Sequence, residues 1–318
     1  MRRRSTASSS RVSPRPVPVS PLPSRPEETE ELLRALELTP RRGRGQNFLM
    51  DHGYARALAH ALAPPPGETV VEVGGGLGQL SFALLAAGAR PLLVLEREPR
   101  LASFLSTNLG RRAKVLLCDA RSDPLPPARY FAGNLPFTGA SEILLRLLAA
   151  GMYRGAFLVQ EEVAQRLAAQ PGSRAYGRLT IPFSLEGSFR LLSVVPPEAF
   201  YPSPRVRGRL LLWERGPERA GLSPEGAVLL ERLLRSLFQH RRKMLGSTLP
   251  PALAELVPGK GAEGLLREAG WPAGWPRLRA EEIPVRSYAR LASILAPGGE
   301  RAAVAAKTNI RRTVPTPR

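Results

Sequence analysis

Along this chain the apolar positions change period in a regular way. From about residue 50, stretches with apolar residues three and four apart alternate with shorter runs of Val, Leu and Phe, the patterns of an amphipathic helix and of a buried strand. YARALAHALA at 54–63 reads as a helix and stops at Pro64-Pro65-Pro66-Gly67. TVVEVGGGLG is a strand closed by glycines, QLSFALLAAGA a helix, PLLVLE a second strand and PRLASFLSTNL a helix. KVLLCDA is a third strand, RYFAGNLP a fourth, and helix SEILLRLLAAG, strand AFLVQE and helix EVAQRLAA follow. This alternation predicts parallel βαβ units with helices on both faces of one sheet. Right-handed crossovers then set the carboxyl ends of the strands along one edge.

Beyond Tyr176 the rhythm changes. SLEGSFRLLSVV and RVRGRLLLWE read as two strands with PPEAFYPSPR and no helix between them, an antiparallel hairpin at one end of the sheet. RGPERAGLSPEG reads as a linker, and AVLLERLLRSLFQHRRKMLGSTL, GAEGLLREAG and EIPVRSYARLASIL as helices of a smaller all-α domain. The opening, MRRRSTASSSRVSPRPVPVSPLPSRP, carries Arg2, Arg3, Arg4, Arg11, Arg15 and Arg25 with no acidic residue, a composition expected to be disordered. The expected organisation is a disordered basic arm over 1–38, an α/β domain over 39–215, a helical domain over 216–296 and a basic tail over 297–318.

Composition narrows the class of partner. Lys and Arg number 46 against 27 Asp and Glu, a net charge of +19, so the surface field attracts polyanions: nucleic acid or an anionic membrane. A genome rich in G and C codons is the alternative source of the arginines. The single cysteine, Cys118, forms no internal disulfide and follows an apolar run, so it is expected to fill core in a reducing compartment. Three scattered histidines, His52, His60 and His240, argue against a metal centre. No apolar stretch reaches the about eighteen residues that cross a bilayer. These features predict a cytoplasmic protein, with an organelle as the alternative if the arm is a transit peptide; its repeated prolines oppose the amphipathic helix such peptides use.

Glu72-Val73-Gly74-Gly75-Gly76-Leu77-Gly78 lies between the first strand of this series and its helix, where a doubly wound fold binds a nucleotide. The spacing is E-x-G-x-G-x-G and lacks the last glycine of a dinucleotide fingerprint, since Gln79 holds that position. Glu96 closes the next strand and Asp119 the one after it. Carboxylates at those points repel a diphosphate but suit ribose hydroxyls, an adenine amino group and a positive centre. S-adenosylmethionine has all three; a glycine-rich turn with helix-capping acids is the alternative.

At the same edge the fourth strand ends on Asn134-Leu135-Pro136-Phe137. The proline constrains Leu135 to an extended geometry, so the Asn134 side-chain oxygen and a backbone carbonyl, that of Leu135, are two acceptors for the hydrogens of an exocyclic amine. Phe137 offers a face on which a planar base stacks. Gripped by two acceptors, an adenine N6 is biased toward a pyramidal nucleophile for in-line displacement at a sulfonium methyl, with orientation and electrostatics supplying the acceleration. No side chain is assigned as general base. A turn with a core phenylalanine is the alternative.

With GQNFLMD at 45–51, VEVGGGLGQL at 71–80, LERE at 95–98, CDA at 118–120 and NLPF at 134–137, the chain resembles the small-subunit ribosomal RNA adenine N6,N6-dimethyltransferase family. QEEVAQRLAAQPGSRAYGRLT at 160–180, PPEAFYPSPRV at 196–206 and LFQHRRKMLGSTL at 237–249 extend the resemblance over about residues 41–296. It implies a class I, Rossmann-like S-adenosylmethionine-dependent methyltransferase: α/β, a seven-stranded sheet with a terminal antiparallel hairpin, then a small all-α domain. It also implies that Asn47, Leu49, Gly74, Glu96, Asp119 and Asn134 touch the donor, with Glu96 on the ribose and Asp119 beside the adenine. Asn134, Leu135, Pro136 and Phe137 would form the catalytic corner, without a metal. The implied substrate is a pair of adjacent adenines in the 3′-terminal hairpin loop of small-subunit RNA. The alternatives are a large-subunit RNA adenine N6-methyltransferase of the macrolide-resistance type and a non-catalytic ribosome-assembly or transcription factor with the same fold; FQHRRKML favours the small-subunit branch. Where the commonest family motif has tyrosine this chain has Phe137, and the long arm lies outside the family pattern. For the RNA, Arg174, Arg178, Arg205, Arg207, Arg209, Arg241, Arg242 and Lys243 are the candidate phosphate contacts, the last three expected on one helix with His240. A monomer suffices for all of this.

Overall fold

The computed structural model describes residues 22–40, 46–216, 222–258 and 261–296. Its strands are β1 (Phe48–Leu49), β2 (Val70–Val73), β3 (Leu92–Glu96), β4 (Lys114–Leu117), β5 (Tyr130–Asn134), β6 (Arg154–Gln160), β7 (Gly187–Val195), β8 (Phe200–Tyr201) and β9 (Gly208–Arg215). Its helices are α1 (Pro26–Ala35), α2 (His52–Leu62), α3 (Gln79–Ala86), α4 (Pro99–Leu109), α5 (Ala140–Ala149), α6 (Glu161–Leu167), α7 (Thr180–Glu186), α8 (Pro224–Gln239), α9 (Leu245–Leu256), α10 (Ala262–Glu268) and α11 (Val285–Leu295).

Seven strands form one mixed sheet in the order β4-β3-β2-β5-β6-β9-β7. The first five run parallel, and β9 lies antiparallel between β6 and β7. The terminal hairpin predicted from sequence is this β7–β9 pair. Successive side chains of a strand point to opposite faces, so a sheet covered on both sides reads as continuous apolar sequence. Val70, Leu92, Val94, Ala156, Leu158, Leu210 and Leu212 pack with α2, α3 and α4 on one face. Val71, Leu95, Phe157, Val159, Leu211 and Trp213 pack with α5 and α6 on the other. Strand order reverses between β2 and β5, the switch point at which open α/β sheets bind ligands beyond the strands' carboxyl ends.

A third core joins the C-terminal helices, with Leu233, Leu234, Leu237, Leu249, Leu253, Tyr288 and Leu291 at its centre. Tyr176, Ile181 and Leu185 belong to this core as well, so the loop before α7 and α7 itself fasten the helical unit to the sheet. The opening of the expected strand SLEG is helical for the same reason: Ile181 and Leu185 share one face of α7 at i,i+4 spacing.

Two further expectations are corrected. The arm expected to be disordered through residue 38 contains α1, a helix with Pro26 at its start, Glu27 and Glu28 in its first turn, and Leu32 and Leu33 buried. Proline and acids are favourable in a first helical turn, and the two leucines give the helix a face to bury. The single helix expected across Ala227–Leu249 is two, and Arg241, Arg242 and Lys243 lie in the turn between α8 and α9, not on a helix with His240. From His240 to Lys243 no apolar residue is available for the buried face, and the chain turns instead: Lys243 N–H donates to His240 O at 2.8 Å, and Leu245 N–H to Leu278 O at 2.8 Å. The first 21 residues and the tail from 297 lie outside the described residues.

Candidate functional site

At the switch point the turn after β2 folds back on β3. Gly74 N–H and Gly75 N–H both donate to Leu95 O, at 2.8 and 3.3 Å. A Cβ at position 75 would meet Val94 Cγ1 at 2.5 Å and Leu105 Cδ1 at 2.6 Å, so only glycine lets the turn lie flat on β3 and α4. Gly76, at φ +55°, donates its N–H to Glu96 Oε2 at 2.9 Å. Glu98 N–H reaches the other oxygen, Oε1, at 2.9 Å. Burial pushes the Glu96 carboxyl above its ordinary pKa, and these backbone donors pull against the shift. Each oxygen keeps acceptor capacity toward the cleft that Glu96 lines.

Asp119 follows β4 and is gripped by Arg121, whose N–H and Nε donate to Oδ1 at 3.0 and 3.1 Å and whose Nη2 donates to Oδ2 at 2.6 Å. That charge-assisted pair lowers the Asp119 pKa to about 2, so the group is a carboxylate at any working pH. Cys118, one residue past the end of β4, is half-buried: it packs against the core on the α5 and α6 side, as expected, and also lines the same cleft. Burial and the nearby Asp123 and Asp119 raise the thiol's pKa, so it is not a poised thiolate.

Asn134 ends β5, and its Nδ2 donates to Asn47 O at 3.0 Å. An amide that donates to one side presents its oxygen to the other, so this bond fixes Oδ1 as the acceptor end. Leu135 N–H donates to Leu158 O at 3.0 Å, while among the described residues no backbone hydrogen bond ends on the Leu135 carbonyl. Pro136 lines the cleft beside it. Phe137 does not line the cleft; it is half-buried and stands edge-on to Phe200 with centroids 5.6 Å apart and planes at 69°.

The strand that holds Asn47 in place has no counterpart in the sequence reading. Phe48 pairs with Tyr201 and Leu49 with Phe200 in a separate two-stranded antiparallel sheet, and Met50 N–H donates to Ala199 O at 2.8 Å. The excursion between β7 and β9 is thereby folded over the cleft's rim, where it fixes both Asn47 and the ring next to Phe137. Two-residue strands are too short to leave a periodic signal.

Of the residues expected at the donor, Asn47, Gly74, Glu96, Asp119 and Asn134 converge on one cleft, whereas Leu49 is buried in the small sheet and does not line it. The open space of the cleft, its solvent-filled mouth included, is about 710 Å³. Phe48, Leu101 and Ile143 give it apolar walls, and Arg97 and Arg121 flank Asp119. Phe48 and Arg97 fall inside the motifs GQNFLMD and LERE without being singled out, whereas Leu101 and Ile143 look like ordinary helix-core positions and Arg121 is one arginine among many.

The candidate RNA residues gather on neighbouring segments with unequal freedom. Arg174, Arg178, Arg205, Arg242 and Lys243 are exposed. Arg207 Nε donates to Glu161 Oε2 at 2.8 Å, and Arg209 Nη1 lies 3.8 Å from Glu161 Oε1. Arg241 Nη2 donates to Arg174 O at 3.0 Å and lies 3.6 Å from Glu281 Oε1. Among the described residues, no group of three His, Cys, Asp or Glu is placed to hold a metal ion, and no helix is long and apolar enough to cross a membrane.

The profile of the family described as Ribosomal RNA adenine dimethylase matches residues 38–260. The Ribosomal RNA small subunit methyltransferase A of Kineococcus radiotolerans is 36% identical over 288 residues, covering 87% of this chain and 92% of that protein. The protein of the same name from Cereibacter sphaeroides is 35% identical over 276 residues, covering 82% and 94%. Among solved structures, a dimethyladenosine transferase from Plasmodium falciparum superposes with a TM-score of 0.62 at 20% identity, covering 76% of this chain and 94% of that one. The 23S rRNA methyltransferase ErmE superposes at 0.58 and 24% identity, covering 78% and 99%. The two superpositions speak to the fold alone.

Proposed function

The chain belongs to the ribosomal RNA adenine dimethylase family, and from that membership we propose that it dimethylates N6 of two adjacent adenines in the 3′-terminal hairpin loop of small-subunit ribosomal RNA, as a step in ribosome biogenesis. It is an rRNA adenine dimethyltransferase, and its methyl donor is S-adenosylmethionine. The observation that carries the reading is the corner at Asn134: an amide oxygen oriented by Asn47 and a neighbouring backbone carbonyl left to accept, beside a cleft with two carboxylates.

The cleft's donor and acceptor set fits that molecule. Glu96, with one backbone N–H on each oxygen, retains lone pairs for a ribose diol. Asp119, ionised and held by Arg121, is an acceptor for an adenine amino group, and Phe48, Leu101 and Ile143 supply apolar walls for a flat ring. The flattened glycine turn brings Gly74 to the cleft without a side chain. When bound, the donor supplies a methyl group on a positively charged sulfur. The chain's own part is to orient: Asn134 Oδ1 and the Leu135 carbonyl accept the two hydrogens of the target N6 and turn its lone pair toward the cleft. Such preorganised acceptors need no reorganisation as the reaction proceeds. Phe137 keeps the stacking plane of the usual tyrosine and lacks its hydroxyl; the edge-on Phe200 ring sets its orientation. Exposed Arg174, Arg178, Arg205, Arg242 and Lys243 form the face that meets RNA phosphates.

The test offers the full-length protein and donor two substrates: small subunits lacking the dimethyladenosines, and protein-free large-subunit RNA. Nucleoside mass spectrometry of fragments should find N6,N6-dimethyladenosine in the small-subunit terminal hairpin alone. Modification of the large-subunit RNA and not of the small subunit would refute the assignment.

A further inference from the structure

Arg241 carries the same charge as its neighbours Arg242 and Lys243 but is turned the other way. Its Nη2 donates to the carbonyl of Arg174 at 3.0 Å and lies 3.6 Å from Glu281 Oε1. The Glu281 side chain is only 16% exposed. Around this pair the loop before α7 and the segment before α11 are stitched at two more points. Gly172 N–H donates to Glu281 O at 2.7 Å, and the buried Tyr176 hydroxyl donates to Ile283 O at 3.1 Å. The receiving segment is itself fixed, because the buried Tyr288 hydroxyl donates to Ala280 O at 2.8 Å. Ser173 Oγ and Glu281 Oε2 are buried at this seam without a partner among the described residues. Desolvating a carboxylate oxygen and a hydroxyl without full compensation is costly. A negative side chain near an RNA-binding face also opposes phosphate binding.

We propose that Glu281 and Arg241 form a latch by which the helical unit holds the loop bearing Arg174 and Arg178 in its RNA-binding form, so that Arg241 is a positioning residue and not a phosphate contact. This rests on the RNA face described under Proposed function. The latch acts on the loop's backbone at Arg174 O, which leaves the guanidinium of Arg174 exposed to the phosphates. It also gives the turn between α8 and α9 its part in the reaction: the break in the helix is what brings Arg241 back to the loop.

The sign of one substitution separates this account from plain electrostatics. Glu281→Gln removes a negative charge with little change of shape, so a purely electrostatic surface would bind RNA more tightly. The latch predicts the reverse, a rise of about five- to twentyfold in the KM for small subunits with the KM for S-adenosylmethionine and the thermal midpoint unchanged. Arg241→Gln should weaken binding to a similar degree without changing the slope of log K against log salt, whereas losing a direct phosphate contact would reduce that slope by about 0.7–0.9. Arg241→Lys keeps the charge but not the reach to both acceptors, and should behave like Arg241→Gln. The double variant should be no worse than either single one.

The measurement is the KM for small subunits across a salt series with the full-length protein, alongside Arg174→Gln/Arg178→Gln as reference. Tighter or unchanged binding by Glu281→Gln, with the reference variant weakened, overturns the latch and leaves the RNA face standing. A reference variant that binds like the wild type overturns both.

Discussion

Glu72 heads the glycine turn yet lies outside the cleft, fully buried with the Ser81 hydroxyl donating to its Oε2. Burial raises its pKa from the ordinary 4.5 to about 8, so it is held as the neutral acid. Its Oε1 is buried without a partner among the described residues. Glu72 therefore ties β2 to α3 beneath the turn, while Glu96 faces the cleft. The consequence for stability has a definite sign. Below pH 4.5 the carboxyl is protonated in the folded and the unfolded chain and costs nothing. As pH rises from 4.5 to about 8 the unfolded chain ionises while the folded one keeps its proton, so stability falls across that window. Thermal midpoints measured from pH 5 to 8 should decline less steeply in Glu72→Gln than in the wild type, and parallel declines would show that Glu72 is ionised in the fold. Asp119 adds no pH dependence in that range, because it is ionised there in the folded and the unfolded chain alike.

Among elements, those with a sustained period were legible. The strands from β2 to β6, the terminal hairpin and helices α2 to α6 follow from alternating apolar runs, and the glycine turn, Glu96, Asp119 and Asn134 fall at strand ends where chemistry is expected. Besides α7, whose end reads as strand in the sequence, two kinds of element were not legible. The pair β1–β8 is two residues long on each side and joins segments about 150 residues apart, so it exists only through tertiary pairing; yet it fixes Asn47, and through Asn47 the amide of Asn134. Helix α1 was masked by the composition of the arginine-rich stretch before it, although Leu32 and Leu33 join the core beside α2 and the small sheet. If α1 is an integral part of the fold, Leu33→Ala should cost about 2–5 kcal/mol in denaturant unfolding. Ala substitution of a residue in a disordered arm would cost nothing measurable.

In the whole molecule the sheet edge gathers the cleft and the Asn134–Leu135 corner proposed for the donor and for catalysis, and the helical unit is joined to the sheet through Tyr176, Ile181 and Leu185. The net charge of +19 foretold an anionic partner, but charge counting could not tell an arginine facing RNA from one facing a carboxylate. Arg207, Arg209 and Arg241 are near Glu161 or Glu281, partners 46, 48 and 40 residues away in sequence. In the proposed function these parts serve the corner where Asn134 and Leu135 would present two acceptors to one amine. The most direct test is Asn134→Ala, assayed for methyl transfer to small subunits and, in parallel, for RNA affinity. Loss of an oriented polar group at a reacting centre typically costs about 100- to 1,000-fold in kcat. The corner predicts a loss of at least that size with RNA affinity within twofold of wild type; near-normal methylation by this variant would contradict it.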